Sequence, residues 1–285
     1  MFQYAAALAL ARLRNTEVGF DLSILKEHQG FALSCFNIFP RASSDRDLPI
    51  RVRPAIPSLL RKLKSAGEKS IPIIKQTVLL EAETYSFDPA FLRCSSTCYL
   101  SGYFQHYSYF EHAEKDIRAA FAFKNDISER TAAMLNHMTK FDVISVHVRR
   151  GDYVWNAEFQ SFFAVCGLDY YIKSCELMAG MSGSAFWLFI SDDPQWVLSM
   201  LVPELLRREI ISEYAVVDWN NGPRAFEDLI LMCAARDHII SNSTFAWWGA
   251  WLSARSDKRV IAPARWILTK NVSGIIPSDW ITVLN

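Results

Sequence analysis

Short apolar segments alternate with segments of helical pattern from residue 142 to the end of the chain. Val143–Val148, Phe186–Ile190 and Ile210–Val217 are rich in β-branched and aromatic residues, which favours strands, and each is followed by a polar turn. These segments show little polar alternation, which is typical of strands that are covered on both faces. The pattern therefore predicts an α/β fold with a parallel sheet. Further strands are expected at 238–240 and 259–262, and helices at 170–178, 194–201, 225–235 and 245–254.

The first half of the chain has fewer recognisable strands. Phe2–Arg14 has the composition of a buried helix, and Val18–Asp21 is expected to form the strand after it. Pro and basic residues are frequent between Pro40 and Pro72, which indicates a surface excursion. A chain of 285 residues with 51% hydrophobic residues can form two cores. We therefore expect two domains, residues 1–140 and 141–285, with a ligand cleft at the carboxyl ends of the C-terminal strands.

Composition excludes some classes of protein. The chain has 30 Lys and Arg against 30 Asp and Glu, so no overall basic charge favours nucleic acid, and an anionic ligand must be bound by a local cluster. The six cysteines are scattered and suit a reducing cytoplasm. No zinc-type spacing of Cys and His is present, and the D-x-D triplet Asp45–Asp47 lies in a Pro-rich region without a preceding strand. We expect no metal and no other cofactor.

Two segments bear on membrane contact. The apolar run Ala5–Ala11 is too short to span a bilayer and is followed by basic residues. Basic residues between Arg51 and Lys69 surround a few leucines, a pattern that allows peripheral contact with anionic lipid. A solvated helical face is the alternative that we favour for this second segment.

The segment His147–Tyr153 places charged residues at the end of an apolar strand and on a Gly turn. Arg149 and Arg150 are adjacent, so they point to opposite faces of a strand, and we expect one to be functional and the other structural. An Arg fork binds diphosphate oxygens with paired hydrogen bonds. The alternative is a surface ion-pair network of these arginines with Asp152.

Two further strand ends have polar residues. Asp192 and Asp193 follow the strand at Phe186, and Asp192 either faces the ligand or caps the helix that begins at Pro194. Ser241–Thr244 lies at a strand-to-helix junction, where free backbone N–H groups and hydroxyls bind anions or cap the helix. The Trp residues of the following helix have helical spacing, which favours packing against the sheet over a sugar platform. These are Trp247, Trp248 and Trp251.

His147–Tyr153, Ser191–Asp193, Asp228–Met232 and Ile239–Gly249 resemble the corresponding motifs of the bacterial α-1,2-fucosyltransferases, glycosyltransferase family 11. The resemblance extends from Met1 to the last strand, except for residues 34–86. It implies a GT-B-like fold, in which two Rossmann-like domains face each other across a cleft. It also implies a GDP-β-L-fucose donor, inversion at the anomeric carbon, no metal, and transfer to the 2-hydroxyl of a terminal galactose.

The resemblance also implies roles for individual residues. Arg150 would bind the β-phosphate, His147 and Asp228 would lie near the nucleoside, and Ser243 and Thr244 would meet the phosphates. The nearest candidate for a general base is Asp152. The expected catalytic residues are His147, Arg150 and Asp152; the expected donor-binding residues are His147, Arg149, Arg150, Asp192, Asp228, Ser241, Asn242, Ser243 and Thr244.

One departure from the family leaves alternatives open. The family has a strand and a Gly-rich loop directly before the residues that open this chain, so we expect a reading frame begun at an internal Met. The missing loop leaves open an inactive nucleotide- or glycan-binding relic. A fucosyltransferase of another linkage is also open, because the Arg motif serves the donor and not the acceptor. The expected acceptor is a galactose-terminated oligosaccharide or a lipid-linked glycan, in the cytoplasm and near the inner membrane.

Overall fold

The computed structural model describes residues 1–22, 31–39, 41–43, 77–81, 83–124, 126–269, 272 and 274–285. The chain divides into two compact units, Met1–Lys124 and Asn125–Asn285. The boundary comes before the expected residue 140 because the helix Glu129–Met138 packs against a helix of the second unit, Phe226–Ala234. The amphipathic segment between Arg51 and Lys69, and nearly all of the excursion between Pro40 and Pro72, lie outside the described residues.

The first unit contains helix α1 (Phe2–Arg14), the parallel strands β1 (Thr77–Leu80) and β2 (Cys98–Ser101), and helix α2 (Glu114–Ala120). Helix α1 buries its Phe and Ala residues and ends at Asn15, which adopts a left-handed conformation with φ of 50°. The strand expected at Val18–Asp21 is reduced to one bridge between Phe20 and Ala42. Single-turn 3-10 helices occupy Ala32–Cys35, Pro89–Arg93, Tyr107–Tyr109 and Glu111–Ala113.

The second unit is an α/β unit with a six-stranded parallel sheet. Its strands are β3 (Val143–Val148), β4 (Phe186–Ser191), β5 (Glu213–Val217), β6 (Asp237–Ile239), β7 (Val260–Pro263) and β8 (Ile281–Val283). Its helices are α3 (Glu129–Met138), α4 (Gly151–Trp155), α5 (Ala157–Phe162), α6 (Leu168–Ser182), α7 (Pro194–Trp196), α8 (Val202–Arg207), α9 (Phe226–Ala234) and α10 (Thr244–Leu252). A π-helical turn, Val197–Leu201, joins α7 to α8, and a 3-10 turn, Gly222–Arg224, precedes α9.

The order of strands across the sheet is β5-β4-β3-β6-β7-β8. Counted within the second unit this is the order 3-2-1-4-5-6 of the Rossmann fold, so the expectation of an α/β fold with a parallel sheet is confirmed. The order reverses between β3 and β6, whose carboxyl ends lie at the same edge. Ligands of doubly wound sheets bind at this switch point, which directs attention to the residues after Val148 and Ile239.

The central strand β3 is buried along its whole length, although Ser145 and His147 are polar. All residues of β3 are buried, because helices cover both faces of a parallel sheet. Two of its residues are polar, and each has a partner in the interior: the Ser145 hydroxyl lies 2.8 Å from His238 Nδ1, and His147 is bonded to a serine after β6.

Helix α10 packs by its aromatic face, as predicted from its spacing. Trp247, Trp248 and Trp251 are buried, so they form part of the core and not a sugar platform. Gly249 allows α9 to approach closely, because a Cβ atom at this position would lie 2.6 Å from Met232 Sδ. Among the described residues, no helix is both long enough and apolar enough to cross a membrane.

Candidate active site

The end of β3 is joined to the end of β6 by one side-chain hydrogen bond. His147 Nδ1 and Ser241 Oγ are 2.9 Å apart, and both side chains are buried. Burial and, to a smaller extent, the charge of Arg149 together lower the pKa of His147 to about 3, so the imidazole is neutral at physiological pH. A buried, neutral His147 is suited to hydrogen bonding at the switch point and not to acting as a general base.

Arg149 is held in an ion-pair network. Its Nη2 lies 2.7 Å from Asp152 Oδ1, and its Nη1 lies 3.1 Å from Asp192 Oδ2. Its guanidinium is also 5.4 Å from the ring centre of Tyr153. Both terminal nitrogens therefore already have carboxylate partners, which is the structural role expected for one of the two arginines.

Arg150 is arranged differently. Its backbone N–H donates to Asp192 Oδ1 at 2.8 Å, its Nε lies 3.3 Å from Asp193 Oδ2, and its guanidinium lies 4.2 Å from the ring centre of Trp196. Within the part of the chain that the structure describes, the two terminal nitrogens of Arg150 have no hydrogen-bond partner. The Arg150 fork is thus the one whose ends remain available for an anion.

The two aspartates after β4 have separate roles. Asp193 caps helix α7, since its Oδ1 accepts from Trp196 N at 3.1 Å, so the alternative that Asp192 caps this helix is wrong. Asp192 instead binds the backbone of Arg150 and the side chain of Arg149. Gly151 leaves room for this carboxylate, because a Cβ atom at position 151 would lie too close to Asp192 Oδ2 and would displace it.

The four residues from Ser241 to Thr244 divide into two pairs. Ser241 and Asn242 are buried: Ser241 bonds to His147, and Asn242 Nδ2 donates to the Trp266 carbonyl at 3.0 Å. Both side chains have partners within the fold, and their contact with the donor stays a prediction. Ser243 is the N-cap residue of α10 but makes no side-chain capping bond, so the start of this helix retains N–H groups that can bind an anion. Thr244 is the first residue of α10.

Asp228 belongs to a second polar cluster, at the start of α9. Asn220 Nδ2 donates to Asp228 Oδ1 at 2.8 Å, and the Asn220 amide is itself buried. Burial raises the pKa of Asp228 to about 7; Asn220 opposes this rise, and the neighbouring Glu227 adds to it. Glu227 is fully buried and accepts the Ser128 hydroxyl at 2.6 Å. A carboxyl with so perturbed a pKa in the first turn of a helix that follows a strand is a candidate for ligand binding.

The titration of Asp228 gives a test of this arrangement. The folded pKa of about 7 lies above the ordinary value of 3.8, so the folded state holds this proton more tightly than the unfolded state, and Asp228 lowers stability as the pH rises from about 4 to about 7. We expect Asp228→Asn, which cannot ionise, to become more stable relative to the wild type over this range. Urea unfolding of both proteins without ligand at pH 4.5, 6 and 8 measures the difference in their free energies of unfolding. A stability difference independent of pH would contradict the burial of an ionising carboxyl.

Sequence reasoning missed several residues of the site. Trp196 and Asn220 were not among the candidates, because a single Trp or Asn in a polar segment has no distinguishing pattern. Asp193 was given no role of its own, because the possible helix cap was assigned to its neighbour Asp192. Within the described ranges, no three His, Cys, Asp or Glu side chains are grouped so that they could bind a metal ion.

The known proteins that this chain resembles over most of its length are glycosyltransferases. The model of glycosyl transferase family 11 matches residues 78–281. An O-antigen biosynthesis glycosyltransferase of Escherichia coli, WbnK, is 27% identical over 99% of this chain and 96% of its own length. An alpha-1,2-colitosyltransferase of Escherichia coli is 30% identical over 99% of this chain and 94% of its own length.

A solved structure also resembles this chain, with a low TM-score and a low sequence identity. It is a variant of Arabidopsis thaliana FUT1 in complex with GDP, with a TM-score of 0.47 and 8% identity, covering 92% of this chain and 67% of that one. The family match and the two bacterial relatives define the class of the protein as a glycosyltransferase. The chain belongs to glycosyl transferase family 11.

Proposed function

We propose that this protein transfers L-fucose from GDP-β-L-fucose to the 2-hydroxyl of a terminal galactose, with inversion and without a metal ion. The observation that supports this best is the geometry of Arg150. Its two terminal nitrogens are unpaired among the described residues, at the switch point of a Rossmann-type sheet. A planar fork with two free ends fits the oxygens of a nucleoside diphosphate.

The other groups at this edge fit the same donor. The start of α10, with Ser243 and Thr244, offers N–H groups and hydroxyls to a phosphate. The ionised form of Asp228 accepts hydrogen bonds, which suits the N–H groups of a nucleobase. His147 is neutral and remains a hydrogen-bonding group near the nucleoside. His147 and Arg150 lie at the end of β3, Asp228 follows β5, and the start of α10 follows β6.

The proposed reaction is a single displacement. The galactose 2-hydroxyl oxygen attacks the anomeric carbon from the face opposite GDP; the new C–O bond forms, and the bond to the β-phosphate oxygen breaks. Negative charge develops on the departing phosphate, where the Arg150 fork stabilises it. The hydroxyl proton passes to a general base, for which we propose Asp152. Its Oδ1 is paired with Arg149, so this pairing must loosen or the second oxygen must accept the proton.

A second donor is supported by one of the relatives. The protein that is 30% identical over nearly the whole chain is an alpha-1,2-colitosyltransferase. Colitose is the 3-deoxy form of L-fucose, so the two sugars present the same anomeric centre and differ by one hydroxyl. A donor of this second kind would leave the proposed roles of Arg150 and the start of α10 unchanged. For either sugar, the expected acceptor is a galactose-terminated oligosaccharide or lipid-linked glycan at the cytoplasmic side of the inner membrane.

The test is a transfer assay with EDTA present and lactose as acceptor, in which GDP-fucose and GDP-colitose are compared. We expect turnover with one of them, and NMR of the product should show an α-1,2 linkage. A product of another linkage would support a different fucosyltransferase activity. GDP binding measured by calorimetry without turnover on any galactose-terminated acceptor would support an inactive relic and contradict the proposal.

A further inference from the structure

The guanidinium of Arg150 is fixed on two sides by residues of one short segment. Asp193 Oδ2 lies 3.3 Å from Nε, and the ring centre of Trp196 lies 4.2 Å from Cζ. The Arg150 side chain is only 18% exposed. The carboxylate therefore binds the stem side of the guanidinium, and the indole covers one face, while the two terminal nitrogens stay open.

Asp193 also fixes the residue that stacks on the arginine. Its second oxygen, Oδ1, caps helix α7 by accepting from Trp196 N at 3.1 Å, and its own N–H donates to Ser191 Oγ at 2.9 Å. The Trp196 ring contacts Tyr171, with ring centres 6.1 Å apart, and packs against the hydrophobic core. One carboxylate thus holds both the arginine and the aromatic ring beneath it.

The neighbouring arginine shows why this arrangement matters. Arg149 is paired through Nη1 and Nη2, so its fork is occupied by Asp192 and Asp152. Pairing through Nε orients Arg150 without using its fork. An exposed arginine loses about 2 kcal/mol of side-chain entropy when a ligand orders it, and an arginine that the fold already orders avoids this loss. Oriented donors stabilise developing charge best because they need no rearrangement during the reaction.

We infer that Asp193 and Trp196 are positioning residues that hold the Arg150 fork toward the leaving diphosphate. The inference rests on the function proposed above, since it assumes that Arg150 meets the phosphate. Neither residue needs to touch the donor. Their contribution is to keep the arginine in the orientation that the transition state requires, so their loss should lower kcat more than it raises the KM for the donor.

Two pairs of variants separate positioning from folding. Asp193→Asn keeps an oxygen that can cap Trp196 but removes the charge that pairs with Nε, whereas Asp193→Ala removes both. Trp196→Phe keeps an aromatic face, whereas Trp196→Ala removes it. We expect Trp196→Ala and Asp193→Asn to lower kcat by about 3- to 30-fold, the range expected from cation–π and partly buried charge contacts, and Trp196→Phe to stay within about 3-fold of the wild type.

A double-mutant cycle with Arg150→Lys tests whether Asp193 and Trp196 act through the Arg150 guanidinium. If Trp196 and Asp193 act through the guanidinium, their variants should cause little further loss of kcat in the Arg150→Lys background. Equal losses in both backgrounds would show a general structural role and overturn the inference. So would full activity of Trp196→Ala and Asp193→Asn beside an impaired Arg150→Lys, and in that case the proposed function stands. An Arg150→Lys variant as active as the wild type would contradict both the inference and the proposed role of Arg150, whereas only a wild type without turnover would contradict the proposed function.

Discussion

Arg150→Lys is expected to lower kcat/KM by about 30- to 1000-fold, which corresponds to the ~2–4 kcal/mol that one lost oxyanion donor costs. The replacement keeps the positive charge but removes the planar fork, so a single ammonium faces the diphosphate. It also loses the contact of Nε with Asp193 and the stacking of a flat cation on Trp196. The paired hydrogen bonds and the fixed orientation of the cation are then both lost.

Steady-state kinetics with GDP-fucose, or with whichever donor proves active, would measure this loss, and thermal unfolding would show that the variant is folded. The matched control is Arg149→Lys, whose fork is already occupied by Asp152 and Asp192. We expect a smaller loss for this neighbour. The opposite order of the two losses would assign the diphosphate to Arg149 and reverse the proposed roles.

Trp247→Ala is expected to lower the free energy of unfolding by about 3–5 kcal/mol, the usual cost of truncating a large buried aromatic side chain. Trp247 is fully buried, and its Nε1 donates to the Ile275 carbonyl at 2.6 Å. Its ring also stacks near Trp251, with centres 6.0 Å apart. The variant would leave a cavity and an unpaired carbonyl beneath the helix that begins with Thr244.

Denaturant unfolding monitored by circular dichroism would measure this change. Trp155→Ala is the control, since this Trp is 82% exposed and its truncation should change stability by no more than about 0.5 kcal/mol. If Trp247→Ala were as stable as this control while transfer to the glycan acceptor was lost, the Trp cluster would have a role in sugar binding that its burial does not indicate.

The strand pattern of the second unit could be predicted from sequence because its strands are buried on both faces. The mostly apolar runs at Val143–Val148 and Phe186–Ile190 match β3 and β4 within one residue. Prediction failed where an element lacks such a run. Strand β8, Ile281–Val283, has only three residues and alternates in burial, so nothing in its sequence distinguishes it from a loop. Helices α4 and α5 were also missed, because they are short and follow directly on the arginine motif.

The candidate site likewise combines residues that the sequence indicated with contacts that it did not. The three polar strand ends were recognisable because charged or hydroxyl residues followed apolar runs, and the parallel topology places two of them, after β3 and β6, at the switch point. Which arginine keeps a free fork was not decided by the sequence, since the two are adjacent and chemically identical. Whether Asp192 or Asp193 caps the helix was equally open.

The sequence by itself determined the fold class and the positions of the polar strand ends, since periodicity and turn residues are local properties. Only the tertiary structure decided which side chains contact one another. Asp193 and Trp196 lie more than forty residues from Arg150 along the chain, and they meet it because β3 and β4 pair in parallel, His147 opposite Ile190. Asn242 likewise meets a residue distant in sequence, since its Nδ2 donates to the Trp266 carbonyl. Such contacts depend on register and packing, which no local pattern encodes.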